Sequence, residues 1–527
     1  MSFSKRVRDL RLRWAKLPSL RQSAPEAPAV NLRDPWPGDP VRGSRILCGE
    51  LQFSGAIRKL DAANWAEGNS GGQMAAHLHG FTWLRDLRVI GDPSARLRTR
   101  DFVDGWLEYG ATEEIAGRPD VMGARITSWL THFDFFAASA DEDFRAPMMA
   151  RLVHDARILA AALPAEERDG RALTALKGLI AASVAMPEHA EYLTRCLRFL
   201  PQEIGRQVLE DGGHVERSPK TLLEALRDLI EIRSFLQSGG AAVPGGLGQA
   251  IDRMSAALRG LRHGGGNLAL FNGTRDDLVS IADQVLPMTG RVRASARLPK
   301  MGFERLAAGR TVMIVDAGAP AAPGFDRYAY AGTLGFEMSV GQERLIVNCG
   351  APPPGNTALT QAARSSAAHS TLVIADTSSS ELKPVGMGRR PSKVMVERQE
   401  ANGAHWLEMS HDGWIKPFGA IHRRRLYMAE SGEDIRGEDM VEAASTQPFA
   451  VRFHLHPGVI ASLQQDGEAV LLRLPSGGWR LRADGALISL EESIYFAGSE
   501  PRRAEQVVLT APQDGPQSVK WALTKVA

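Results

Sequence analysis

The sequence predicts an α+β multidomain fold: an incomplete ring of antiparallel helix pairs followed by an antiparallel β-sandwich. Three observations carry this. From about Ala56 to Leu286 apolar residues recur at three- and four-residue spacing. From about Arg291 the period drops to two. No long helical pattern alternates with the later strands, which argues against a parallel sheet. At 527 residues the chain has room for two large domains or three ordinary ones.

The elements follow in order. Residues 1–45 form a basic segment and connector. Phe3, Val7, Leu10, Trp14 and Leu17 make one helical stripe among seven basic residues and one acid in the first 21 positions. Charges interrupt the stripe throughout, so it predicts a basic amphipathic helix and not a cleaved export signal. Such a helix either lies on an anionic membrane surface or packs its stripe on the protein body. Pro25, Pro28, Pro35, Pro37 and Pro40 then predict an extended connector.

Residues 46–290 predict the helical domain. Met149–Leu163, Leu173–Met186 and Thr221–Leu236 are its clearest helices, with Ser218 as a cap and Pro219 in the first turn of the last. Short loops make successive helices antiparallel neighbours, hence stacked hairpins in a ring or arc. Residues 291–527 predict the sandwich. Thr311–Asp316, Arg344–Asn348, Ser370–Ile374, His422–Met428 and Val451–His456 read as strands. Val470–Leu474 and Trp479–Arg482, around Pro-Ser-Gly-Gly, read as a hairpin.

Composition narrows function. Basic and acidic residues number 63 and 61, so general nucleic-acid binding is not expected. No apolar run reaches the 18 or so residues of a membrane span. Cys48, Cys196 and Cys349 match no zinc spacing and predict buried hydrophobes, not a disulfide scaffold. The chain has no P-loop, no strand–GxGxxG–helix unit, no HExxH and no GxSxG elbow.

Five groups of polar and aromatic residues stand apart from these patterns. Asp211-Gly-Gly-His-Val-Glu-Arg-Ser-Pro219 turns sharply before a helix and presents His214, Glu216 and Arg217. A guanidinium there suits a carboxylate, and a loop tied to its neighbours is the structural alternative. Tyr328 and Tyr330, two apart, share one face if they lie on a strand, as an acid/base pair or as packing. His369 opens a strand. His411 and Trp414 accompany the run His422-Arg-Arg-Arg425, in which Arg424 is the candidate for substrate contact. His454 and His456 are spaced to hold a metal in principle, but no Cys or carboxylate motif supports them and no metal site is predicted.

The glycine loop, Leu334-Gly-Phe-Glu337, Ile346-Val-Asn-Cys-Gly350, Ala368-His-Ser-Thr-Leu372, His411-Asp-Gly-Trp414 and Arg452-Phe-His-Leu-His-Pro457 occur in one order. In that order they resemble the heparinase II/III family of polysaccharide lyases. The resemblance implies an incomplete (α/α) toroid joined to a β-sandwich. It further implies β-elimination on an acidic, uronate-containing polysaccharide in a cleft between them, and a place in the cell envelope. The N-terminal segment points instead to the cytoplasmic side, with a membrane contact through residues 3–17. His214, Tyr328, Tyr330 and His369 are the implied catalytic residues, and Arg217, Glu216 and Arg424 the implied substrate-binding ones. The alternative is a non-catalytic glycan-binding or envelope-assembly protein that keeps the fold.

Departures from the family pattern bear on that choice. No Asn-His pair occurs, Thr221 stands where a tyrosine is expected, and the family's closely spaced histidines fall at Tyr328 and Tyr330. The positions that hold zinc in some relatives read Tyr330, Asn348 and His369. With two of three ligands changed, no cofactor is expected.

Overall fold

The structure, a computed structural model, describes residues 11–15, 24–65, 71–163, 169–186, 190–464, 467–497, 500–512 and 517–526. It divides into two compact units, Met1–Gln207 with Glu224–Ile251, and Val208–Leu223 with Asp252–Ala527. The second unit thus begins well before residue 291. It takes in the glycine loop because Asp211 ties that loop to the segment entering the sandwich. One Asp211 oxygen accepts from the backbone N–H groups of Lys300 (2.7 Å) and Met301 (2.9 Å).

The first unit is an incomplete (α/α) toroid. The expected helices appear as Glu142–Ala162, Arg171–Ala185 and Pro219–Ser238, the last contributing its residues from Glu224 onward to this unit. Pro119–Thr131 and Arg171–Ala185 are buried on nearly all sides and approach at two glycines. A Cβ on Gly178 would sit 2.3 Å from the Gly123 Cα, so neither position has room for a side chain. Gly123→Val is therefore expected to lower stability by about 1–3 kcal/mol through overpacking. Gly248→Ala, in a helix where an added Cβ meets open space, should raise it by roughly 0.5–1 kcal/mol. Thermal unfolding of the two variants checks both signs.

Three expectations change here. Glu50–Phe53 (β1) and Ala56–Lys59 (β2) form an antiparallel hairpin inside the helical half, turning through Ser54 and Gly55, both at positive φ. The proline-rich connector is a strap folded into the unit. Leu32, Asp34 and Trp36 are buried, the Trp36 indole donates to Glu231, and Arg227 lies 5.0 Å over its ring. Of the amphipathic helix at 3–17, only 11–15 lie within the described residues. They are helical, Leu12 and Ala15 pack on Met122 and Ile158, and Trp14 is 69% exposed. Among the described residues no helix is long and apolar enough to cross a membrane. Cys196 and Cys349 are buried thiols as expected, whereas Cys48 is exposed.

The second unit is a sandwich of two antiparallel sheets. One runs Ile460–Gln464 (β14), Ala469–Leu474 (β15), Gly477–Asp484 (β16), Ser518–Val526 (β19), Asp434–Glu442 (β12), Ala420–Met428 (β11), Ala404–Trp414 (β10) and Val394–Ala401 (β9). The other runs Leu487–Ala497 (β17), Glu500–Thr510 (β18), Phe449–Leu455 (β13), Glu343–Val347 (β7), Phe336–Val340 (β6), Thr311–Asp316 (β5), Phe303–Ala308 (β4) and Arg297–Leu298 (β3), with Leu372–Ile374 (β8) paired to β13. The predicted hairpin is β15–β16, closed where Leu474 faces Gly477. Alternation sends Met313, Phe336, Met338, Leu426, Trp479 and Trp521 into one core. Trp521 stacks on Phe336 at 5.9 Å.

Candidate functional site

The glycine loop is built by its own backbone. Leu209 N–H donates to Gly213 O (2.8 Å), and Gly212 takes a φ of +82° where an added Cβ would strike the Arg253 carbonyl. His214 is fully buried, and its Nδ1 accepts from the Glu216 N–H at 3.2 Å. Buried Glu216 accepts from the Thr221 hydroxyl (3.3 Å), so the residue standing in for the family's tyrosine pins the loop's carboxylate.

Arg217 departs most from expectation. Its backbone is left-handed, at φ +58°, and turns the side chain into the protein. All five guanidinium N–H donors are taken up: by Met301 O (2.6 Å), Gly302 O (2.9 Å), Gly318 O (3.1 Å), Ala319 O and the Asp316 carboxylate. None remains for a uronate. Burial pushes the Asp316 carboxyl up, and Arg217 pulls it back. This arginine clamps the loop to the sandwich.

Tyr328 and Tyr330 do not lie on a strand. Residues 326–335 form turns around Gly332 and Gly335, and the strand opens only at Phe336. The two rings consequently meet different neighbours. Tyr328 is half-buried, with the Lys220 ammonium 5.3 Å over its ring. Tyr330 is buried and meets His369 edge-on, ring centres 5.7 Å apart. Asn272, which sequence reasoning missed, joins the two halves of the site. Its amide donates to Arg217 O (2.8 Å), and its carbonyl accepts from Tyr330 N–H (3.0 Å). It sits at φ +48°, a backbone state that asparagine tolerates, but nothing local in the sequence marks it.

The site's titration is unfavourable for acid/base work near neutrality. Burial raises the Tyr330 phenol above its usual value, with Arg364 and Arg275 opposing weakly. Burial pushes His369 down to about 4. Its Nδ1–H donates to Ser365 O at 2.7 Å, leaving Nε2 as the basic nitrogen of a neutral ring. Gly332 is required beside it, since a Cβ there would fall 2.5 Å from the imidazole.

Arg424 lies elsewhere. Arginines 423 and 425 face outward on β11 and pair with Glu408, while the middle one points into the core. Fully buried, Arg424 holds Asp439 (2.7 Å) and donates to Leu334 O (2.8 Å) and Ser370 O (3.0 Å). It positions the loops that carry Tyr330 and His369 and contacts no open space. His422 joins the same carboxylate at 2.8 Å, with His411 behind it at 3.4 Å.

A zinc ion does not fit these residues. The Asn348 oxygen accepts from Ser370 N–H (3.0 Å), and its amide nitrogen is buried without a partner, which presents a donor where a cation needs a lone pair. Among the described residues no three His, Cys, Asp or Glu side chains gather as a ligand set. His454 binds Ser493 (2.7 Å) and Ala367 O (2.9 Å) instead.

Residues 290–522 match the Heparinase II/III-like C-terminal family. The chain is 32% identical to FtsZ-localized protein C of Caulobacter vibrioides, over 95% of its own length and 91% of that protein's. Among solved structures, heparinase III aligns with a TM-score of 0.76 at 13% identity, covering 98% of this chain and 89% of the other. Heparan sulfate lyase HepC from Pedobacter heparinus aligns at 0.61 and 16% identity, covering 99% and 88%. At such identities the likeness to the lyases is one of fold. Motif order, sandwich and full-length relationship agree, and the chain belongs to the heparinase II/III family.

Proposed function

We propose that this chain is a non-catalytic member of the family, localised with FtsZ, that keeps the lyase fold as a binding scaffold. The full-length 32% identity to FtsZ-localized protein C carries the reading. Two features of the site support it: Arg217 has no donor left for a carboxylate, and burial moves Tyr330 away from the range of a useful base. The protein works on the inner face of the membrane, held there by the basic amphipathic segment of residues 3–17, with acidic polysaccharide as something bound at most. A fluorescent fusion should follow FtsZ and disperse when FtsZ is depleted. Deleting residues 3–17 should move the protein from the membrane fraction to the soluble one. Periplasmic recovery, or a distribution indifferent to FtsZ, would overturn the proposal.

A second reading, β-elimination on a uronate polymer, draws on the Tyr330–His369 contact and on the lyase fold. Elimination leaves an unsaturated sugar end that absorbs in the ultraviolet. The proposal expects no such absorbance from any uronate polymer screened. A signal that Tyr330→Phe abolishes would install the lyase reading in its place.

A further inference from the structure

Five outward residues stand in one row across the eight-stranded sheet. Trp406 faces Tyr427, Tyr427 faces Arg436, Arg436 faces Ala522 and Ala522 faces Arg482. With Ala522 as the small member, and Gly437 and Ala483 beside it, the row encloses an open depression of about 450 Å3. Its aromatic wall is Trp406, 40% exposed, and Tyr427, their rings 5.3 Å apart and tilted by 47°. Tilted against each other, the two rings make a notch that receives an apolar side chain.

The lining carries four cations, Arg425, Arg436, Arg482 and Lys520, and two carboxylates, Glu438 and Asp484. Arg425 pairs with Glu408 and Glu438, and Arg436 with Asp434. The side chains of Arg482 and Lys520 are exposed and form no ion pair with any described residue. Asp484, opposite Lys520 across the strand pair, is likewise unpaired. Lys520 stands in register between Asp484 and Glu438, and the lining as a whole carries four cations to two carboxylates beside an apolar floor, a combination suited to an acidic ligand with one greasy group.

We propose that this row is a docking site for a short acidic peptide segment of a partner protein. A bulky apolar side chain sits on Ala522 between Tyr427 and Arg482, and flanking carboxylates meet Arg482 and Lys520. The surface is separate from the Tyr330–His369 site and independent of the proposed function.

Panning a random peptide display library on the full-length protein, in parallel with a Trp406→Ala/Arg482→Glu variant, tests this. The expected result is a consensus of Asp or Glu around one Phe, Leu or Trp, retained by the natural protein and lost by the variant. The consensus peptide, fluorescein-labelled, should then bind at least about tenfold more weakly to Trp406→Ala and to Arg482→Glu. Ala522→Phe, which fills the floor, should abolish binding, and added salt should weaken it. Matching circular dichroism melts verify that these outward substitutions leave the fold intact. No enrichment, a consensus without acids, or binders that the variant keeps would overturn the assignment. So would retention of a heparin oligosaccharide, in place of peptide, that the same substitutions abolish.

Discussion

Between pH 7 and pH 5 the protein is expected to lose several kcal/mol of stability. His369, His454 and His132 are buried and neutral, with burial holding them at about 4, about 3 and about 4. In the unfolded chain each titrates near 6.5. As pH falls below that value the unfolded state takes up protons that the native state refuses, so stability falls with pH and levels off only near the native values. At pH 5 the penalty is roughly 2 kcal/mol per histidine. His422, His263 and His411 are shifted down by burial too and add in the same direction. Urea midpoints from pH 7.5 to 4.5 should decline steadily. In His454→Gln the amide keeps the donor to Ala367 O but cannot titrate, so the decline should be shallower by about 1.4 kcal/mol per pH unit. A slope unchanged in that variant would show that His454 is not held neutral.

Arg217→Ala should be the most destabilising substitution in the glycine loop, at about 3–5 kcal/mol. It removes the counter-charge of buried Asp316 and takes a donor from four backbone carbonyls in one step, of which Gly302 O keeps the Ala317 N–H. Arg217→Lys should recover only part of the loss, because an ammonium cannot reproduce the fork. Adding Asp316→Ala to Arg217→Ala should cost less than the sum of the two single changes. Thermal unfolding of the four proteins gives the comparison. A residue that merely held substrate would leave the melting temperature where it is.

Much of the architecture was legible because each period is imposed by one buried face. Val470–Leu474 and Trp479–Arg482 alternate cleanly, and they pair as read. The β1–β2 hairpin was invisible because four-residue strands with half-exposed side chains carry little pattern. At the site, residue types were legible but roles were not. Tyr-Ala-Tyr imitates strand alternation, yet the neighbouring glycines turn the chain first. Arg217 looked like a carboxylate holder because its own carboxylate, Asp316, lies 99 positions away on another strand. Parity alone, applied to the three arginines of β11, places the middle one inside. What parity could not supply was the acid on β12 that receives it.

The strap at the start of the helical unit has a consequence for how the chain is made. Trp36 reaches its partner Glu231 across 195 positions, and Ala29 N–H binds Ala185 O. A ribosome adding about 5–20 residues per second delivers Glu231 roughly 10–40 s after Trp36. Once Trp36 has cleared the exit tunnel, the rest of that interval passes with its acceptor not yet synthesised. The stretch translated among the first is therefore among the last to lock, and a nascent chain halted before Glu231 must hold Trp36 without its native partner, as a handle for chaperones or for aggregation.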